Sequence, residues 1–525
     1  MAYVTLVRPA IVVAKWSHTA PTCAPMGLAY IAATLREHGH EVSILDAVGE
    51  APFDLRPIGD GRILARGLSA EAITARVDPR TQVVGLSCMF SQEWLQTRQL
   101  ARHLRERFPS IPIVGGGEHV TALPEWSLAD CDALDVCVLG EGEETMLELV
   151  EAIAAGRPPG TVAGTVVRDG AITRRAPPRA RIRKIDNIPL PAWDLVPLRS
   201  YLDHGFGFGV NRGRSMPMLA TRGCPYQCTF CSNPEMWTTR WVAREPRRVL
   251  EEMEKYLQEY AVDNFDFYDL TAIVKRAWIV EFCELVIASG LRFTWQLPSG
   301  TRSEAIDAEV SRLLYASGCR NLSYAPESGS KAMLRKIKKR VDLENMKVSM
   351  RSAVRSGLNV KANIIVGLPD ETHREVRETL RFVVQMAVLG VHDMSISPFS
   401  PYPGSELFAD LRARGKLGEL DETYFDTLAG YTDILRTVSL DDRISGRALG
   451  LYRLLGMGLF YGVNYLVRPW RLLVTLRNVF RQQQESRLEM SLRDLLYRLL
   501  GRTAGRQDSA ARNAPGLAIL PPDRS

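Results

Sequence analysis

The chain has 525 residues, 46% apolar and 24% charged, with a formal net charge of +6. That length is more than one hydrophobic core organises, so two or three domains are expected, and nine cysteines scattered over it make no disulfide framework. The basic excess is local, since fourteen arginines face seven acids from Asp441 to Ser525; no basic and aromatic reading module appears, so nucleic acid is not expected as a partner.

Ala2-Tyr3-Val4-Thr5-Leu6 follows Met1 with no basic run, apolar core or cleavage site of a signal peptide, which makes a cytoplasmic location the expectation. From 3 to 150, short β-rich runs (Tyr3 to Val7, Val42 to Asp46, Val83 to Cys88, Ile113 to Gly117, Val136 to Gly140) alternate with helical patterns such as Gly27 to His38 and Glu93 to Arg107. This predicts a doubly wound parallel α/β domain over 1–150, whose ligands bind at the carboxyl ends of the strands. Residues 151–205 read as a linker with a small strand pair (Thr161 to Val167, Ala171 to Arg174) and a proline-punctuated stretch, Asp186 to Pro191. Six further strand-like runs separated by helices, from Met216 to Ser397, predict a partial or full (β/α) barrel over 206–415. Residues 416–500 read as helical, and the Ala, Arg, Gly and Pro-rich end, 501–525, as disordered.

The chemistry concentrates in Thr221-Arg222-Gly223-Cys224-Pro225-Tyr226-Gln227-Cys228-Thr229-Phe230-Cys231, directly after the first strand of the second series. Thiolates are the ligands of iron–sulfur clusters, and this spacing lets one loop hold three corners of a 4Fe-4S cube while the fourth iron stays open. A structural zinc site normally closes with four ligands, yet the nearest histidine is His204 and the nearest remaining cysteine is Cys283. A redox CxxC or a set of buried thiols leaves the placement at a strand end unexplained.

With these residues in hand, positions 3 to 410 resemble the radical S-adenosylmethionine (SAM) enzymes that carry an N-terminal cobalamin-binding domain, the group of the anaerobic protoporphyrin ester cyclase and many methylases. Besides CxxxCxxC, the stretch Cys319 to Ser330, the run Gly367-Leu368-Pro369-Asp370-Glu371-Thr372 and the loop Pro401-Tyr402-Pro403-Gly404-Ser405 are similar to family motifs. One departure stands out: where the family often shows paired aspartates, this chain has Asp269-Leu270. The resemblance implies that SAM chelates the open iron and is cleaved by one electron to a deoxyadenosyl radical, with flavodoxin or ferredoxin as the type of electron donor. It implies Phe230 beside the adenine, and Asp269, Arg302, Glu327 and Ser328 as contacts to the remainder of SAM.

Gly115-Gly116-Gly117 is no GxGxxG fingerprint, and no Asp-x-His-x-x-Gly string supplies a cobalt-ligating histidine. The resemblance nevertheless favours cobalamin on the first domain, with Ser87, Met89, Gly116, Gly117, Glu118 and Gly140 as expected contacts; the alternative is that these glycines only make tight turns.

Leu454 to Val467 is a charge-free run of fourteen residues followed by Arg468-Pro469-Trp470-Arg471, which fits a membrane-interface segment over 454–480 or a buried core helix. The expected activity is cobalamin-dependent methyl transfer to an unactivated carbon of a small, hydrophobic or lipid-like substrate, with the protein cytoplasmic or peripheral on the inner face of the membrane. The alternatives are a radical SAM cyclase or rearrangement enzyme, and a cobalamin sensor with an inactive radical SAM half.

Overall fold

The computed structural model describes residues 1–15, 22–170, 172–429, 437–480 and 484–499; the expected disordered tail, 501–525, lies outside them. Ten strands belong to the N-terminal half: β1 (Tyr3–Arg8), β2 (Ile11–Ala14), β3 (Glu41–Asp46), β4 (Leu55–Ile58), β5 (Ile63–Arg66), β6 (Val83–Ser87), β7 (Ile113–Gly116), β8 (Val136–Val138), β9 (Thr165–Asp169) and β10 (Ile172–Arg175). Five of them form a parallel sheet in the order β3-β1-β6-β7-β8, with Val4 level with both Val42 and Val83. Runs such as Val83–Leu86 are buried throughout, as expected of parallel strands covered on both faces. The chain winds one way from β1 to β3 and the other way from β6 onward. The switch point therefore lies between β1 and β6, and the crevice outside their carboxyl ends opens at Arg8 and Ser87.

Two features differ from the sequence expectation. The strand pair expected inside a linker is the hairpin β9–β10, which joins the first sheet antiparallel to β8 and makes it seven-stranded. A separate antiparallel sheet, β2-β5-β4, has short strands with weak alternation and no signal in the periodicity.

In the second half, β11 (Ser215–Met218), β12 (Thr221–Arg222), β13 (Val242–Ala243), β14 (Asn264–Phe267), β15 (Thr294–Thr301), β16 (Cys319–Glu327), β17 (Asn359–Val366) and β18 (Asp393–Pro398) follow. Six of these form one parallel sheet in consecutive order, β11-β14-β15-β16-β17-β18. The barrel is partial, because the described strands number six and β11 does not pair with β18. Register shifts interrupt β15 against β16 and β16 against β17 near Gly300 and Glu327, and Glu327 takes a left-handed φ of 65° that a side chain rarely adopts. Such strain at a strand end aims a side chain out of the regular pleat.

The helix Gly446–Val467 lies on the helix His373–Leu389 and on β18, burying Leu449, Arg453, Gly456, Phe460 and Asn464 along one stripe. Gly456 permits the close approach, since a Cβ there would stand 2.5 Å from Ile396. The opposite stripe is apolar and open: Leu451 is 66% and Leu466 83% exposed, and Leu473 and Phe480 of the following segment are 70% and 77% exposed. The segment is thus core on one side and apolar surface on the other.

Candidate functional site

The cysteine loop is clamped at both ends. β12 pairs antiparallel with β13, and Gly223 turns with a φ of 82° against Arg240, whose carbonyl oxygen would lie 2.2 Å from any Cβ there. Only glycine fits that crossing. Inside the loop, Thr229 N donates to Ile337 O at 3.0 Å, Leu407 N donates to Thr229 O at 2.9 Å, and Asn233 Nδ2 donates to Cys224 O at 3.3 Å. Cys224, Cys228 and Cys231 are free and half-buried, and Cys228 and Cys231 line an open groove beside Gln227, Pro234 and Gly404.

These donors fit an iron–sulfur cluster. All three are thiols, and among the described residues no three His, Cys, Asp or Glu side chains gather around one point as a single ion requires. Each thiolate of a cubane binds a different iron, so its sulfurs stand apart. Burial pushes the Cys231 thiol up to about 12, so the thiolate form calls for the positive charge that a metal centre brings.

Around this loop the expected SAM residues fall into two groups. Arg302 lies 3.7 Å over the ring of Tyr226, between the first two cysteines, and pairs with Glu304. Glu327 pairs with Lys339 at 2.9 Å, and Lys339 lies 5.9 Å from the Phe230 ring centroid. Arg302, Glu327 and Phe230 therefore gather at the cysteine loop. Asp269 and Ser328 have internal work: the Asp269 carboxylate accepts from Ala220 N, Thr221 N and Thr221 Oγ1, and Ser328 Oγ bonds Thr379 Oγ1 and Ser330 N. Burial raises the Asp269 carboxyl to about 6, and the three donors from the start of the loop oppose that rise. Thr271, whose Oγ1 lies 3.6 Å from Cys224 Sγ, and Lys339 lie outside the cysteine segment and carry no motif of their own, while Tyr226 lies inside it, where the spacing alone gives it no role.

The first domain reaches the same loop. Glu118, at the end of β7, accepts from Ser232 Oγ, next to Cys231. Glu141 and Glu143, after β8, take both ends of the Arg222 guanidinium at 3.1 and 2.6 Å, and Arg181 closes on Glu141 at 2.8 Å. Burial opposes ionisation of Glu141, but Arg181 and Arg222 outweigh it and hold its carboxyl below the usual range. Of the expected cobalamin residues, Gly117 is dictated by the chain itself, with a φ of 108° and Cys88 O only 2.4 Å from an added Cβ. Gly140 has a φ of 69° and faces Met236 O at 3.6 Å. Gly116 meets only Val138 O at 3.9 Å, while Ser87 ends β6 and Met89 and Phe90 beyond it are 40% and 50% exposed. An open glycine and uncovered apolar side chains at the strand ends form a face that fits a corrin ring.

Residues 16–150 match the B12 binding domain family, and residues 218–383 match the radical SAM superfamily. The uncharacterized methyltransferase PH0819 of Pyrococcus horikoshii is 30% identical over 389 residues, 73% of this chain and 77% of that protein. The anaerobic magnesium-protoporphyrin IX monomethyl ester cyclase of Cereibacter sphaeroides is 30% identical over 61% of this chain and 52% of its own length. In fold, the chain is similar to the radical SAM methyltransferase TsrM of Kitasatospora setae, solved with cobalamin and an iron–sulfur cluster bound (TM-score 0.62, 19% identity, 79% of this chain and 75% of that one). With three thiols on one loop and a corrinoid-type domain bound to that loop, the chain belongs to the radical SAM enzymes that carry an N-terminal B12-binding domain, and its cofactors are an iron–sulfur cluster, SAM and cobalamin.

Proposed function

We propose that the protein transfers a methyl group, supplied by SAM through cobalamin, to an unactivated carbon of a small hydrophobic substrate. When bound, the cluster supplies the electron that cleaves SAM, and cobalamin supplies the methyl group. The observation that carries this reading is the joining of the two domains at the cysteine loop, where Glu118 bonds Ser232 and the Glu141 and Glu143 carboxylates hold Arg222. Gly116 and Met89 would in this reading hold the corrin near Glu118, whose carboxylate reaches the cysteine loop at Ser232. In this reading Arg302 and Lys339 hold the carboxylate of SAM, Glu327 holds its amine or ribose, and Phe230 packs on its adenine.

Two findings support a hydrophobic substrate met at an anionic membrane surface. Leu466, Trp470, Leu473 and Phe480 stand exposed along the C-terminal helical segment, and the arginine excess follows Asp441 in sequence. No described helix is long and apolar enough to cross a membrane, so the contact is one of lying on the surface.

The test is anaerobic incubation of the reconstituted protein with SAM, reductant and cobalamin, comparing wild type with Cys228→Ala. A cobalamin-dependent methyltransferase releases S-adenosylhomocysteine as the reduced cobalamin takes the methyl group and separately cleaves SAM to 5′-deoxyadenosine, and the variant forms no 5′-deoxyadenosine. Formation of 5′-deoxyadenosine without S-adenosylhomocysteine supports the cyclase reading instead, and absence of both from a loaded protein overturns both enzyme readings.

A further inference from the structure

The radical SAM reading requires a one-electron donor, and the surface beside the cysteine loop has the character of its docking site. Two adjoining grooves share Arg183, Arg240, Trp241 and Lys275; one extends to Pro225, next to Cys224, and the other to Trp278. Arg183, Arg240 and Lys275 are exposed, and none makes an ion pair among the described residues. Lys275 instead lies 5.7 Å from the Trp241 ring centroid. The arginines deeper in the wall are already neutralised: Arg179 by Glu148, Arg181 by Glu141, Arg244 by Glu252 and Asp186. Glu245 is the acid that remains in the lining. The outer rim therefore carries a net positive charge while the wall beneath is balanced.

The groove is also connected to the cluster ligand. Trp241 Nε1 donates to Thr271 O at 2.9 Å, and Thr271 Oγ1 lies 3.6 Å from Cys224 Sγ. The backbone of Arg240 packs on Gly223, one residue before Cys224. A groove wall thus reaches the sulfur of Cys224 through one hydrogen bond and one contact.

We infer that this groove docks an acidic, low-potential one-electron carrier protein, with Arg183, Arg240 and Lys275 meeting its carboxylates and Trp241 with Thr271 forming the path to Cys224. The carrier is oxidised by one electron, and that electron enters the cluster on the Cys224 side. Unpaired rim cations are what steer a charged partner to a transient redox interface, which is small and salt-sensitive.

The inference rests on the radical SAM reading but is tested separately, with a purified bacterial flavodoxin as probe. Binding is measured by calorimetry on the chain as purified, for wild type and for the triple variant Arg183→Glu/Arg240→Glu/Lys275→Glu. Affinity is expected to fall at least about tenfold in the variant, and the difference to shrink when NaCl rises from about 50 to about 300 mM. Arg240→Lys, which keeps the charge, should bind like wild type. In stopped-flow reduction of the loaded protein, flavodoxin hydroquinone should reduce the triple variant at least about tenfold more slowly, while dithionite reduces both proteins alike. Trp241→Phe, which keeps an aromatic ring but loses the indole N–H bonded to Thr271 O, should bind normally and accept electrons from flavodoxin more slowly. Equal flavodoxin affinity in wild type and triple variant overturns the inference. So does a groove that retains anionic vesicles or an RNA oligonucleotide and not flavodoxin. Failure of dithionite to support SAM cleavage counts instead against the radical SAM reading and leaves the binding result to decide the docking site.

Discussion

Replacing Arg222 by methionine perturbs the contact between the two domains at its most charged point. The Arg222 side chain is 4% exposed and stands 3.1 Å from Glu141 and 2.6 Å from Glu143, which are 5% and 7% exposed. With Arg181, the group holds two cations and two anions and is neutral. Arg222→Met leaves Glu141 its Arg181 partner and strands Glu143, a buried charge without compensation, at a cost of about 3–5 kcal/mol. Glu143→Gln costs less, about 1–3 kcal/mol, because an amide still accepts from the guanidinium. Arg222→Met/Glu143→Leu removes both charges and should recover much of the loss, with a coupling energy of about 2 kcal/mol or more. A chain of several domains does not unfold in two states, so the measurement is native-state hydrogen exchange of the cysteine loop and of the loop after β8. A loss of about 3 kcal/mol accelerates local exchange by about a hundredfold. Protection in Arg222→Met equal to wild type, or a double variant no better protected than the single one, would refute the assignment of this network as the link between the domains.

Gly116 and Gly117 should separate the two readings of the glycine run. Gly117→Ala, forced to a φ of 108° with Cys88 O at 2.4 Å, should cost more than the ordinary strain of about 1–3 kcal/mol and lower the melting temperature. Gly116→Ala should leave stability within about 0.5 kcal/mol of wild type, and a fall in cobalamin retention there places the corrin against it. His119, packed among Trp94, Trp126 and Phe425 with Nε2 lacking a partner, is pushed by burial from 6.5 down to about 3. A depressed folded pKa contributes stability that is present above 6.5 and declines as pH falls toward 3, by about 2 kcal/mol at pH 5. His119→Phe should remove that decline, read as a smaller drop in melting temperature from pH 7 to pH 5, and an unchanged drop rejects the assignment. Leu466→Glu/Leu473→Glu changes two side chains that are 83% and 70% exposed, so it should leave melting unaltered while abolishing co-sedimentation with anionic vesicles. Equal sedimentation of the variant and wild type rejects the membrane reading.

The sequence by itself determined the two α/β series, because runs such as Val83–Leu86 and the alternation with helices are local patterns set by burial period. The thiol triad was legible there as well, since three cysteines on one loop need no distant partner to be recognised. Asp269 and Ser328 show the limit of that legibility: their bonds to Thr221 and Thr379 are contacts across 48 and 51 residues that no motif encodes. Gly140 read as a cobalamin contact, and only the folded chain brings its neighbours Glu141 and Glu143 to Arg222, 81 and 79 residues away. The joining of hairpin β9–β10 to the first sheet and the two faces of the helix Gly446–Val467 were also decided in three dimensions. Edge pairing depends on which neighbour leaves backbone groups open, and burial of an apolar helix depends on what packs against it. Periodicity and composition state what a segment can bury, and the tertiary structure alone chooses the surface it meets.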